Sequence, residues 1–238
     1  MKDKIRIYFP NTLTFLALGS GLVSIIVVIQ GYVFEAGIFI LIGVILDSFD
    51  GYFARKLEVD SQFGIQLDSL SDMVSFGVAP LVLVLQHLTM RGLFSYWIIP
   101  GLLLALWAGA YRLARFNLQP TKESIHEETR GITITNSGVI LTLAVLSDLS
   151  NQYASLAIGS YTTLLLILSY LMISKLKLPS LIWLFPSKRF IFIYLIFGAV
   201  LFFFSSFFTS VLIFFLGGLA ASISRKLYFL LFQRSQSS

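Results

Sequence analysis

Between residues 47 and 72 the chain carries four carboxylates, Asp47, Asp50, Asp68 and Asp72, in a stretch flanked on both sides by apolar sequence. An ionisable group at membrane depth is costly unless it is paired, wetted or metal-bound, so such a cluster marks a functional site by default. Asp47, Asp50 and Ala54 fall at i, i+3 and i+7, and Gly64, Asp68 and Asp72 at i, i+4 and i+8, so each set lies along one stripe of a helix. Two acidic stripes joined by a short connection can face each other. Carboxylate oxygens without His or Cys suit hard divalent cations, Mg²⁺ or Mn²⁺ with Ca²⁺ also admitted, and four of them can hold two ions about 4 Å apart in a phosphoryl-transfer centre. Gly51, Ala54 and Gly64 leave room beside the acids for a phosphate or a substrate backbone. Arg55 adds a planar cation matched to phosphate oxygens. The blander alternative, polar residues joining transmembrane helices, seldom calls for four acids.

The elements that position these residues are legible from composition. The 238 residues are 57% hydrophobic and 12% charged, with a mean hydropathy of +0.86, which excludes a soluble domain and indicates a polytopic membrane protein. Spans of about 20 residues allow an all-α helix bundle of about eight transmembrane helices in one integral membrane domain, 1–238. We expect a catalytic core at about 8–175 and two extra C-terminal helices at about 189–231. Cysteine is absent, which removes disulfides, thiolate metal sites and cysteine nucleophiles. No small-residue cleavage site follows the first apolar run, so no cleavable signal is expected.

Apolar runs predict spans near 11–29, 33–54, 64–88, 95–116, 132–149, 154–173, 189–206 and 209–231, with residues 189–231 also readable as one long span and a re-entrant turn. Pro80 should kink the third span just past the acidic stripe. With eight spans, sixteen of the seventeen Lys and Arg share one side with both termini and the acidic stretch, and only Arg91 lies opposite. By the positive-inside rule the shared side is cytoplasmic. The net charge of +5 then reads as loop topology and attraction to anionic lipid, not as nucleic-acid binding.

Position for position, residues 47–72 match D-x2-D-G-x2-A-R-x8-G-x3-D-x3-D, and on these eight fixed positions the chain resembles the CDP-alcohol phosphotransferases. The resemblance implies that family's fold and an integral membrane enzyme that displaces CMP from a CDP-linked lipid with the hydroxyl of a small alcohol. It implies two divalent ions held by Asp47, Asp50, Asp68 and Asp72, with Asp72 as the base that takes the alcohol proton, and it implies a homodimer. The run Asp68 to Pro80 and the block Gly109-Ala-Tyr-Arg112-Leu-Ala-Arg115-Phe-Asn117 are similar to the membrane-embedded phosphatidylserine synthases within that family, with CDP-diacylglycerol and L-serine as substrates.

Other positions carry two readings each. Pro10, Asn11 and Thr14 form a helix start by local physics, while the resemblance assigns Asn11 and Thr14 to the CDP-lipid site. Ser61 is either a turn former or, by the same resemblance, a contact to the nucleotide phosphates. Arg112 and Arg115 share a helix face and suit the serine carboxylate, or they are interface anchors; Asn117 follows them. One departure stands out: relatives carry a Pro-x-Pro-like segment where this chain reads Gly131-Ile-Thr133-Ile-Thr135-Asn136, so the fifth span should be less broken and the alcohol pocket differently shaped. His87 at the far end of the third span and His126 in a charged loop are set aside as ligands, and Glu123, Glu127 and Glu128 as a solvated face. Two rivals remain: the same chemistry with glycerol phosphate, inositol phosphate or a diether lipid, and a divalent-cation transporter, which leaves Gly51, Ala54, Arg55 and Gly64 unexplained.

Overall fold

The computed structural model describes residues 2–57, 59, 61–118, 131–150 and 158–174, with single helical positions between 209 and 220. Among these residues the chain is all-helical: α1 (Lys2–Ile29), α2 (Val33–Leu57), α3 (Gln62–Asp72), a π-helical turn (Met73–Val78), α4 (Ala79–Met90), α5 (Ile98–Asn117), α6 (Ile134–Ser150) and α7 (Ile158–Ile173). Residues 62–90 form one rod, so the described helices overlie the first six expected spans. Three of them, Tyr8–Ile29 within α1, the Gln62–Met90 rod and α5, are long and apolar enough to cross a membrane; α6 and α7 are shorter apolar helices. The expected helices at 189–231, His126, Glu123, Glu127 and Glu128 lie outside the described residues, apart from the single positions between 209 and 220.

Where hydrocarbon surrounds the helices, apolar burial gives them little reason to associate, and small residues and interhelical hydrogen bonds take over. A serine ladder along α1 does this. Ser24 Oγ donates to the Ala36 carbonyl of α2 at 2.8 Å, and Ser20 reaches the Phe39 carbonyl one turn on. From the rod, Ser71 and Ser75 donate to the Thr14 and Ala17 carbonyls of α1 at 3.2 and 3.0 Å. Ile40, Phe76, Leu83, Leu88, Ile140 and Leu165 fill the centre.

Two local expectations are corrected. Pro10 does not start the first helix, because α1 begins at Lys2 and runs through it. Proline removes one donor, and here Thr12 and Thr14 return their hydroxyls to the Tyr8 and Pro10 carbonyls at 2.9 and 3.2 Å. The break expected at Pro80 takes the form of the π-helical turn just before it. Pro80 has no N–H to give Phe76, and the Ala79 N–H reaches back five residues to the Val74 carbonyl. Glycines grip this turn from both sides. A methyl group placed on Gly138 of α6 would lie 2.6 Å from the Phe76 carbonyl oxygen, and one on Gly21 of α1 would lie 2.6 Å from Ser75 Cα.

Candidate active site

The last three turns of α2 carry Asp47 and Asp50, with Asp50 buried, and α3 returns beside them after a short connection. Ser61 sets the phase of that return. Its extended backbone (φ −125°, ψ 145°) precedes the helix, and its Oγ accepts the Gly64 N–H at 2.9 Å, an N-cap that brings Gly64, Asp68 and Asp72 onto one face. Carboxylate oxygens of Asp47, Asp50 and Asp68 then lie within 4.8 Å of one another. At that spacing each charged pair repels by roughly 3 kcal/mol at an effective dielectric of 20, so the cluster calls for a cation. Asp50 Oδ2 and Asp72 Oδ1 are buried without a hydrogen-bond partner among the described residues. An all-oxygen donor set with orphaned oxygens fits hard divalent cations.

Asp72 is distinct from the other three. It neighbours Asp47 and feels the charge of Arg112, and it is not among the three acids whose oxygens converge. Arg112, on α5, is buried, and its Nε has no hydrogen-bond partner among the described residues.

The remaining motif residues surround the acids. Thr14, buried on α1, interacts with Asp50 through its hydroxyl. Asn11 stands one turn earlier: a methyl group on Gly64 would lie 3.2 Å from Asn11 Oδ1 and 3.0 Å from Ser61 Oγ, so only glycine admits this approach without displacing a neighbour. Arg55 folds back over Gly51, where a methyl group would lie 3.4 Å from Nη1, and its charge acts on Asp50. The Ala54 carbonyl accepts the Val59 N–H at 3.2 Å and closes the end of α2.

The two other acceptor-side residues have partners away from the acids. Arg115 Nη1 donates to the Ile173 carbonyl of α7 at 3.1 Å, and its guanidinium lies 5.9 Å from the Tyr111 ring centroid. Asn117 gives its carboxamide to Ser69 and Gln66 of α3. The segment that departs from the Pro-x-Pro pattern also ends on α7. Gly131 has φ +79° and sits against the Leu171, Met172 and Ser174 carbonyls, and the Ile132 N–H bonds the Leu171 carbonyl at 3.2 Å. Thr133 Oγ1 accepts the Asn136 N–H at 3.0 Å, so threonine caps the start of α6.

A second polar cluster escaped the sequence reading. At the other end of the 62–90 rod, His87 Nε2 lies 2.7 Å from Asp148 Oδ2, Arg91 Nη1 donates to Asp148 Oδ1 at 3.2 Å, and Tyr161 Oη donates to Oδ2 at 3.3 Å. His87 is engaged there and stays apart from the acidic site, as expected. The available signal was Asp148 itself, a lone acid in the apolar run 134–150.

Comparison with known proteins agrees with this geometry. The family profile described as CDP-alcohol phosphatidyltransferase matches residues 7–220. A CDP-diacylglycerol–serine O-phosphatidyltransferase of Bacillus subtilis is 36% identical over 177 residues, covering 72% of this chain and 90% of that protein. One of that name from Methanocaldococcus jannaschii is 37% identical over 155 residues, 65% and 67% of the two chains. An archaetidylserine synthase of Methanothermobacter thermautotrophicus is 42% identical over 115 residues, 47% and 48% of the two chains. With the profile spanning most of its length and the acidic stripes folded face to face, the chain belongs to the CDP-alcohol phosphatidyltransferase family.

Proposed function

We propose that the chain transfers the phosphatidyl group of CDP-diacylglycerol to L-serine, giving phosphatidylserine and CMP. The observation that carries this reading is a buried Arg112 whose charge acts on Asp72, beside the converged acids, in a chain whose relatives are named serine transferases. Asp47, Asp50 and Asp68, with Asp72 beside them, would hold two divalent ions, Mg²⁺ or Mn²⁺, which would supply positive charge to the CDP-lipid diphosphate. Asn11, Thr14, Gly51, Ala54, Arg55, Ser61 and Gly64 shape the nucleotide and diphosphate pocket. Arg112 pairs the serine carboxylate and aims the hydroxyl. Asp72 accepts the hydroxyl proton, the serine oxygen bonds to the lipid-bearing phosphorus, and the bond from that phosphorus to the CMP oxygen breaks. The site opens to the cytoplasmic side of a cell membrane, where both termini lie, and two copies form a homodimer.

The test is CMP release by purified protein in detergent with CDP-diacylglycerol and Mn²⁺ or Mg²⁺. Release that needs both serine and metal is expected. Release only with glycerol 3-phosphate or inositol phosphate overturns the acceptor, and release only from a CDP-linked diether lipid overturns the donor. Metal flux in vesicles without CMP release would replace the enzyme by a transporter.

A further inference from the structure

Asn117 ends α5 five residues beyond Arg112, and its carboxamide is fully engaged by α3. The Ser69 hydroxyl lies 3.1 Å from Asn117 Oδ1 and 3.0 Å from Nδ2, and Nδ2 also reaches Gln66 Oε1 at 3.4 Å. A carboxamide has two N–H donors and one carbonyl, so these contacts leave little of it for a ligand. Ser69 follows Asp68 directly, in the helix that also bears Asp72. Beyond this contact α5 touches α3 only lightly; it packs chiefly along α7 and also against the π-helical turn that follows Asp72. Where Arg112 sits relative to Asp72 is set by that packing together with the hydrogen bonds of Asn117 to Ser69 and Gln66, the polar ties between α5 and α3 among the described residues.

We infer that Asn117 is a positioning residue: by clamping Ser69 it fixes α5 on the metal-bearing helix and so holds the Arg112 guanidinium at the distance from Asp72 that the acceptor requires. The inference rests on the proposed serine transfer and deepens it. A clamp acts through a partner, whereas a residue that touches serine does not need Ser69. That difference separates the two roles. The effect should fall mainly on the acceptor, because loss of the clamp frees α5 with Arg112, whereas Gly64, Asp68 and Asp72 stay together on α3 behind their Ser61 cap.

The experiment compares Asn117→Ala, Ser69→Ala, the double variant and Ser69→Thr in steady-state CMP release, with serine and CDP-diacylglycerol varied separately. Loss of one neutral hydrogen-bonded pair should raise the serine KM about tenfold in each alanine variant, with kcat and the CDP-lipid KM changed less than about threefold. The double variant should be no worse than either single one, since both remove the same contact. Ser69→Thr, which keeps the hydroxyl, should restore the serine KM. A raised serine KM in Asn117→Ala with a silent Ser69→Ala overturns the inference in favour of direct contact. Additive losses, or a CDP-lipid KM that rises equally, overturn it in favour of general damage to the fold. No serine-dependent CMP release from the unaltered protein overturns the proposed function and this inference together, and is thereby distinct from the other outcomes.

Discussion

Asp72 and Asp50 are both acids of one motif, yet their surroundings differ. Asp50 contributes to the converged oxygens, whereas Asp72 neighbours Asp47 and feels the charge of Arg112. Asp72→Asn should therefore lower kcat by at least about 100-fold, the contribution of a general base. Its Mn²⁺ affinity, followed by calorimetry, should stay close to that of the unaltered protein. Asp50→Asn should weaken Mn²⁺ by at least about tenfold, and a calorimetric titration that shows equal losses in both variants would erase the division. Arg112→Lys keeps the charge but loses the planar fork, and we expect the serine KM to rise about tenfold with the CDP-lipid KM unchanged.

At the scale of elements, the π-helical turn links the acidic site to the packing of the bundle. It lies directly after Asp72, and Gly138 of α6 closes on its Phe76 carbonyl. Gly138→Ala puts a methyl group against backbone that cannot swing aside, so α6 must move. Overpacking of this kind costs about 1–3 kcal/mol, and a thermal midpoint lowered by roughly 5 °C in detergent is expected. An unchanged midpoint would mean that the helices are not held this closely. Pro80 was visible in the sequence as the source of a disturbance, but its form was not. Whether a missing donor bends a helix or widens its preceding turn depends on what packs there, and Gly21 and Gly138 are remote in the chain.

Across the whole molecule, two polar sites occupy opposite ends of one rod. Asp68 and His87 are separated by nearly twenty residues of helix, about 28 Å at 1.5 Å per residue. Asp148 ties α4, α6 and α7 together at the far end through His87, Arg91 and Tyr161. Asp148→Asn removes the anion from Arg91 and an acceptor from His87 and Tyr161, while Arg91, partly exposed, keeps its bond to the Asp148 carbonyl; a cost of about 1–3 kcal/mol and a thermal midpoint lowered by roughly 5 °C are expected. Mn²⁺ affinity should be unaffected, and a parallel fall in both would show the ends to be coupled. Orientation can be read directly, because the chain has no native cysteine. Cysteine at Tyr96 should react with an impermeant maleimide from outside intact cells, and cysteine at Gln62 should not; the reverse pattern would invert the topology.

The sequence by itself determined the helical membrane class, the bounds of six helices to within a few residues where both ends are described (α1 starting earlier), and the clustering of the acids of residues 47–72 into a set that could hold a metal ion. Each is a local property: apolar runs of membrane length and acids at helical spacing, whereas the Ser61 cap on Gly64, read from the sequence as a turn, came from the structure. Asp148 was legible by the same criterion that singled out the four acids, but its partners were not. The tertiary structure decided which residues meet. It placed Asn11 beside Gly64, sent Arg115 to the carbonyl end of α7, and brought Asn117 to Ser69 and Asp148 to His87. Those pairs are dozens of residues apart, and helix periodicity carries no information about which faces will touch. Small residues and hydrogen bonds choose the neighbours in such a bundle, and that choice exists only once the helices are packed.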